Sequence, residues 1–349
     1  IDKKLKDNWS ITVEGSLSKN INEIYYRRLD INQPIGRLSG PDNRLIYDLK
    51  RIGYPAGSGI TAGSNPYTGV FLLENQRYYG RTGYAYNFTA SIDKSWTDGF
   101  SFNAFYTYGS SFVTHEPTSS QNNSQWRFME TVNGRNDVQR SRSDFDLGHR
   151  VSAFIAKKFT YAKGALASTF SLVYNGQSGN PFSYVYATGP VRDQGATETN
   201  DLIFIPTADQ IKAMTFVTSS PSFPLSPAQQ AAALEDYIAQ DNYLSKNRGK
   251  YAERNGARLP FTNIIDVKFL QDFNVKVFNK KYQFQLTYDV FNFTNMLNRN
   301  WGRTYFMSND QTSIIKYQGA TGSTVPSYSF SPVRNNTPWG ISSSVQPSF

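Results

Sequence analysis

Tyr282-Gln-Phe-Gln-Leu-Thr-Tyr-Asp-Val290 alternates without a break: Tyr282, Phe284, Leu286, Tyr288 and Val290 share one parity, and Gln283, Gln285, Thr287 and Asp289 share the other. That is the period of a β-strand with one apolar and one polar face. Phe291, Asn292 and Phe293 continue in the opposite phase, which predicts a bulge or the end of the strand. Two kinds of β protein alternate in this way. A sandwich buries the apolar face against a second sheet, whereas a transmembrane barrel turns it to lipid and keeps the polar face on a watery lumen.

The end of the chain favours the barrel. In Trp339-Gly-Ile-Ser-Ser-Ser-Val-Gln-Pro-Ser-Phe349, Trp339, Ile341, Val345 and Phe349 are in phase, and the sequence stops on the aromatic. At ~3.3 Å per residue and a tilt near 40°, such a strand spans about 25 to 28 Å of height, the thickness of an outer-membrane apolar band. A terminal Phe on an amphipathic strand resembles the signal read by the barrel-assembly machinery, although Ser343 and Pro347 interrupt its apolar row. Composition agrees: aromatics reach 15% while hydrophobics reach only 39%, which suits strands with aromatic girdles and no apolar interior.

Other classes recede on the same reading. The sequence contains no Cys, which removes disulfides and thiolate metal sites. Its net charge of +9 raises nucleic acid as a partner, but Lys and Arg are scattered and Tyr25-Tyr-Arg-Arg28 is the most compact aromatic-basic cluster, so none is expected. No apolar run of about 18 residues exists to form a helical span, which says nothing against barrel strands. Ile1 is not an initiator Met and no apolar leader follows it, so a mature fragment of a longer chain is expected.

Further strands are predicted at Trp9, Ile11, Val13 and Leu17, with continuation through Tyr25 and Tyr26, and then at 84–96 and 100–108 around the hairpin turn Thr97-Asp-Gly99. Others follow at 151–155 and 166–174 around Tyr161-Ala-Lys-Gly164, and at 265–269 before the turn Val277-Phe-Asn-Lys-Lys281. Polar stretches intervene at 30–81, 110–144, 176–260 and 295–338. Within the third, Ser226, Pro227 and Gln229 announce a helix running to Ala239. The expected architecture is all-β: an antiparallel transmembrane β-barrel with about eight strands in this sequence, joined alternately by short turns and long loops. That asymmetry puts the short turns in the periplasm and the long loops outside the cell.

Several segments taken in order resemble the C-terminal barrel half of TonB-dependent outer-membrane receptors of the Oar-like type, which carry a carboxypeptidase-regulatory-like domain. They are Asn20-Ile-Asn-Glu-Ile-Tyr-Tyr26, Ser141-Arg-Ser-Asp-Phe-Asp-Leu-Gly-His-Arg150, Gly179-Asn-Pro-Phe182, Asn200-Asp-Leu-Ile-Phe-Ile-Pro206, Leu244-Ser-Lys-Asn-Arg-Gly249, Arg254-Asn-Gly-Ala-Arg-Leu-Pro260 and Asp289-Val-Phe-Asn-Phe-Thr-Asn295. The resemblance implies a barrel of about 22 strands occluded by a plug, energised by the TonB-ExbB-ExbD complex and seated in outer-membrane lipid. Residues 1–349 would then be the C-terminal portion of one barrel domain, with plug and N-terminal domains outside this sequence. Related systems also add a surface lipoprotein as a lid.

Parity selects the candidate lumen residues: Glu14, Asn87, Asp93, Asn103, Arg150, Asp266, Lys268, Gln283, Gln285 and Asp289. Loop aromatics that could stack on a ligand are Tyr78, Tyr79, Trp126, Trp301 and Tyr305, although packing between loops is their commoner use. His115 and His149 lack the partners of a zinc site and read as a loop residue and a wall residue. Asp193, Glu198 and Asp201 crowd one loop without the spacing of a calcium site, and are expected to face solvent. No nucleophile elbow, phosphate loop or paired-carboxylate motif is present, so neither an enzyme nor a resident metal or cofactor is expected. The expected function is gated transport of a bulky ligand. A self-contained porin, adhesin or structural barrel is the alternative.

Overall fold

The structure, a computed structural model, describes residues 1–29, 31, 33–47, 71–77, 81–116, 119–193, 200–217, 225–278, 280–319, 323–330 and the backbone of 342–344. Its frame is one antiparallel sheet. The strands of its main path are β1 (Asp2–Lys4), β2 (Trp9–Lys19), β3 (Tyr84–Ser95), β4 (Phe100–Val113), β5 (Gly148–Tyr161), β6 (Leu166–Gln177), β7 (Thr262–Val277) and β8 (Lys280–Val290), each paired with its neighbour in that order. Ser141–Arg142 adds a short pairing on the far end of β4. Among the described residues the sheet is open, with β1 on one edge and β8 on the other.

All the short connections lie at one end. Asp7 and Asn8, and likewise Ala162 and Lys163, have positive φ at consecutive residues, the backbone that twists a hairpin with its strands. At Thr97-Asp-Gly99, Gly99 takes φ +89, where a Cβ would also run into the Lys158 carbonyl at 2.5 Å. β8 stops at Val290, where Asn292 turns left-handed and opens the short helix Phe293–Leu297. The phase slip after Val290 therefore marks the strand's end.

The register settles the two faces. Following partners across the sheet, Glu14 lies beside Thr89, Thr107, Arg150, Gln177 and Thr262 in turn, and Lys268 beside Asp289, all on one face. The opposite face carries Ile11, Ile92, Ala104, Ile155, Leu172, Val267 and Val290. It is exposed in the isolated chain, with Tyr282 at 46% and Tyr288 at 65%. Aromatics bound it at both ends. Near the short turns, Trp9, Trp96 and Phe100 meet edge to face with 5.9 Å between centroids, and Lys94 lays its Nζ over both indoles. Towards the long loops, Tyr86, Tyr108 and His149 form the other girdle. From Trp96 to Tyr86 is ~33 Å along β3, or about 25 Å of height at the usual tilt.

The apolar core lies outside this wall. Leu38, Ile46, Phe182, Tyr184, Tyr186, Ile203, Ile205, Leu234, Ile238 and Ile314 are all buried in one cluster built from the long loops. Short pairings organise it. Pro181–Val185 lies between Ala257–Arg258 and Gln311–Ser313, and Glu23–Arg28 pairs antiparallel with Phe71–Gln76. The Pro227–Gln240 helix starts on the expected capping box of Ser226 and Gln229 and buries Gln230, Leu234 and Ile238.

Three sequence expectations change. The first long strand ends at Lys19, and Tyr25 and Tyr26 belong to the Glu23–Arg28 strand of the loop layer. The stretch 30–81 contains the strands Pro34–Arg37, Leu45–Tyr47 and Phe71–Gln76. The eighth strand of the path is the polar Asp2–Lys4, while Ser342–Ser344 pairs with Thr304–Phe306 in the loop layer. Trp339, Ile341, Val345 and Phe349 lie outside the described residues.

Candidate functional site

All ten lumen candidates fall on the polar face, because every wall pairing from β2 to β8 preserves the parity on which they were chosen. They divide by what they touch. The Lys268 Nζ lies 3.3 Å from Asp289 Oδ1. Gln285 donates to Asp272 Oδ1 at 2.7 Å, and the Lys158 ammonium approaches the other oxygen of that carboxylate at 3.2 Å. Asn103 donates to Asp93. Asp266 accepts the backbone N–H of Asn292 at 2.7 Å, fixing the chain where it leaves β8. Glu14, Asn87, Arg150 and Gln283 are exposed and carry no ion pair or side-chain hydrogen bond to another described residue. This wall therefore offers water-facing charges of both signs at fixed spacing.

Above it, the cap is pinned by two buried charge clusters. The backbone N–H and the guanidinium of Arg135 both donate to Asp193, and the guanidinium also lies 4.0 Å from Asp201. Asp201 accepts the Val191 N–H at 2.8 Å, and burial pushes its carboxyl up to about 6 against the pull of Arg135 and Arg44. Asp193 and Asp201 are thus structural ion-pair partners and do not face solvent; burial without pairing would have been prohibitive. Glu198 lies outside the described residues, and no described group of His, Asp and Glu suits a metal ion.

The second cluster centres on Arg254, whose guanidinium donates to the Val113 carbonyl at 2.9 Å. Glu23, Glu116, Glu130 and Asp144 surround it. Burial raises the carboxyls of Glu116, Glu130 and Asp310, which with Asp144 line a cleft of about 450 Å³. His115 is buried against the Tyr26 ring, 5.2 Å between centroids, and neither ring nitrogen has a hydrogen-bond partner among the described residues. Loss of water, then the nearby Arg254 cation, lowers it to about 4. His149 is a wall residue, its Nδ1 2.7 Å from the Tyr106 hydroxyl.

The loop aromatics mostly pack. Trp126 is fully buried, donates from Nε1 to Asn136 at 2.8 Å and lies beside Phe71 and Arg28. Tyr305 leans on the cap core, Trp301 is 53% exposed, and Tyr78 and Tyr79 lie outside the described residues. Parity could not reach the clefts between the loops. One of about 240 Å³ is lined by Gly40, Pro41, Tyr186, Pro206 and Tyr328. Another of about 530 Å³ lies between Arg142, Tyr184, Tyr243 and Arg258, residues far apart in sequence.

Among the described residues no helix is long and apolar enough to cross a membrane, so any crossing falls to the strands. No curated protein and no solved structure matches the chain. The model of one family, described as outer membrane beta barrel domain, matches residues 1–325. Its apolar outer band, polar inner face and one-sided short turns agree with that match, and the chain belongs to the outer membrane beta barrel domain family, as an integral protein of the bacterial outer membrane.

Proposed function

We propose that this chain is the C-terminal wall and cap of a TonB-dependent outer-membrane transporter, which moves a bulky ligand by plug-gated passage driven by the proton-motive force. The observation that carries the reading is that, among the described residues, the sheet is open and its path ends on β1 and β8. Unpaired strand edges are untenable in lipid, where every backbone N–H and C=O must find a partner. Closing β1 directly onto β8 would give eight strands, whose interior is just wide enough for its own side chains. A cap with a core drawn from three long loops is out of scale with so narrow a barrel. Further strands pairing with both edges would open a lumen large enough to hold a plug. The TonB-ExbB-ExbD complex would engage that plug, and a surface lipoprotein could close over the cap. Passage through such a wall requires no bond chemistry.

The test is the intact mass of the native protein extracted from outer membranes. A mass well above 39.4 kDa, with upstream peptides of a plug, is expected; a mass near 39.4 kDa would overturn the reading in favour of a small closed barrel.

A further inference from the structure

We infer that the cleft of about 530 Å³ beside the C-terminal end of the Pro227–Gln240 helix binds an acidic saccharide. Its volume is that of an ordinary small-ligand site. Two of its rings are held rigidly. Tyr184 and Tyr243 lie parallel, 6° between planes and 6.1 Å between centroids. The Tyr184 hydroxyl donates to Asp241 Oδ2 at 2.6 Å, and the Tyr243 hydroxyl accepts the Glu253 N–H at 2.8 Å. Tyr237 adds a third ring to the lining. Tyr184 is buried in the cap core and backs Tyr243, so the half-buried rings of Tyr243 and Tyr237 are the ones that can receive the C–H face of a sugar ring, without the entropy cost of ordering flexible side chains.

Charge then selects among sugars. Asp241 is the one carboxylate in the lining, and it is already spent: Oδ1 accepts the N–H groups of Tyr243 and Leu244, at 2.9 and 2.7 Å, while Oδ2 takes Tyr184. Against it stand Arg142, Lys246 and Arg258. Arg258 is held by Asp146, and the Arg142 Nε lies 3.8 Å from the same carboxylate. Lys246 is exposed and has no partner among the described residues. Counting Asp241 and Asp146 against the three cations, the cleft is net positive by one, and the Lys246 ammonium is the cation left for a ligand carboxylate. Gln240 and Asn242 border it with exposed side-chain amides, each able to donate and accept, as neighbouring hydroxyls require.

A peptide docked as an added strand fits less well. Pro181–Val185, the strand that supplies Tyr184, is already paired with Ala257–Arg258 and with Gln311–Ser313, so it has no free edge to offer. A purely apolar ligand would leave Lys246 and the two amides without a partner from it.

The inference deepens the transport reading by naming the class of cargo. Capture itself needs no energy source, so a binding experiment stands or falls apart from that reading. Trigalacturonate and its uncharged counterpart galactotriose are titrated calorimetrically into the native protein in detergent, at low and at physiological salt. Trigalacturonate should bind at least about tenfold more tightly than galactotriose, with the gap narrowing in salt. Tyr237→Ala should weaken both sugars. That substitution also removes packing from the cap, so Lys246→Gln, on an exposed side chain, is the deciding variant. It should cost trigalacturonate about tenfold and leave galactotriose unchanged. Equal affinity for the two sugars, indifference to Lys246→Gln, or no binding of trigalacturonate at about 1 mM would each overturn the inference.

Discussion

Acid should loosen the cap around His115, and His115→Phe should abolish that response. Protonating the ring in place would put a second cation beside the buried Arg254, on ring nitrogens that burial cuts off from water and that have no hydrogen-bond partner among the described residues. The folded pKa of about 4 lies below the ordinary 6.5, so between those values the opened cap binds a proton that the closed cap refuses. The stabilising contribution is complete above about pH 6.5 and is lost as pH falls towards 4. The full shift corresponds to about 3 kcal/mol, of which about 2 kcal/mol is lost by pH 5, or roughly 30-fold in the opening equilibrium. Glu116 and Glu130 have raised pKa values and titrate with the opposite sign, so the difference between wild type and variant, not either profile alone, isolates His115. The assay is hydroxyl-radical footprinting at pH 7.5 and pH 5, reading oxidation of Trp126 and Met129, both buried in the folded cap. Wild type should gain oxidation at pH 5 and His115→Phe should not. At pH 7.5 the variant should be as protected as wild type, since it exchanges two unpartnered buried nitrogens for carbon. The same pH response in both proteins would refute the argument.

Three further outcomes follow from the wall and the cap. Leu286→Arg places a cation on the lipid face and should cost about 2–4 kcal/mol, reducing heat-resistant folded protein in outer membranes, whereas Gln285→Arg on the lumen face should assemble like wild type; equal losses would refute the face assignment. Arg135→Ala strands Asp193 without its cation and leaves Asp201 only Arg44, and should destabilise the cap by about 3–5 kcal/mol, read as faster limited proteolysis in the long loops with the wall intact. Gly189→Ala would drive a Cβ into Asp201 Oδ2, an oxygen already fixed by the Val191 N–H, and should cost about 1–3 kcal/mol by the same readout.

The wall was legible because its information is local. Parity along Tyr282–Val290 and its counterparts survives any distant contact, so all ten lumen candidates could be placed on one face from the residues alone. The helix at Pro227 was legible for the same reason, its capping box lying within four residues. Asp2–Lys4 was missed because a three-residue polar edge strand has no alternation to show. The cap was missed for a different reason. Its strands run two to six residues, and partners such as Ser183 and Gln311 are brought together only by the fold, so neither period nor turn chemistry announces them. Asp193 and Asp201 misled in the same way: an acidic loop looks solvated until Arg135, far off in sequence, comes to lie against it.

Because the tightly packed apolar interior lies above the membrane and the apolar wall lies within it, two neighbourhoods of this chain obey different rules of repair. When Leu286 loses methylene groups, mobile acyl chains flow into the space and no void persists. When Ile238 loses the same atoms, the surrounding loops are too interlocked to follow, and the hole remains. The bilayer thus acts as a self-healing half of the protein's packing. The part that meets the outside world, where new ligand shapes would have to be accommodated, is the part that must get its own carpentry right.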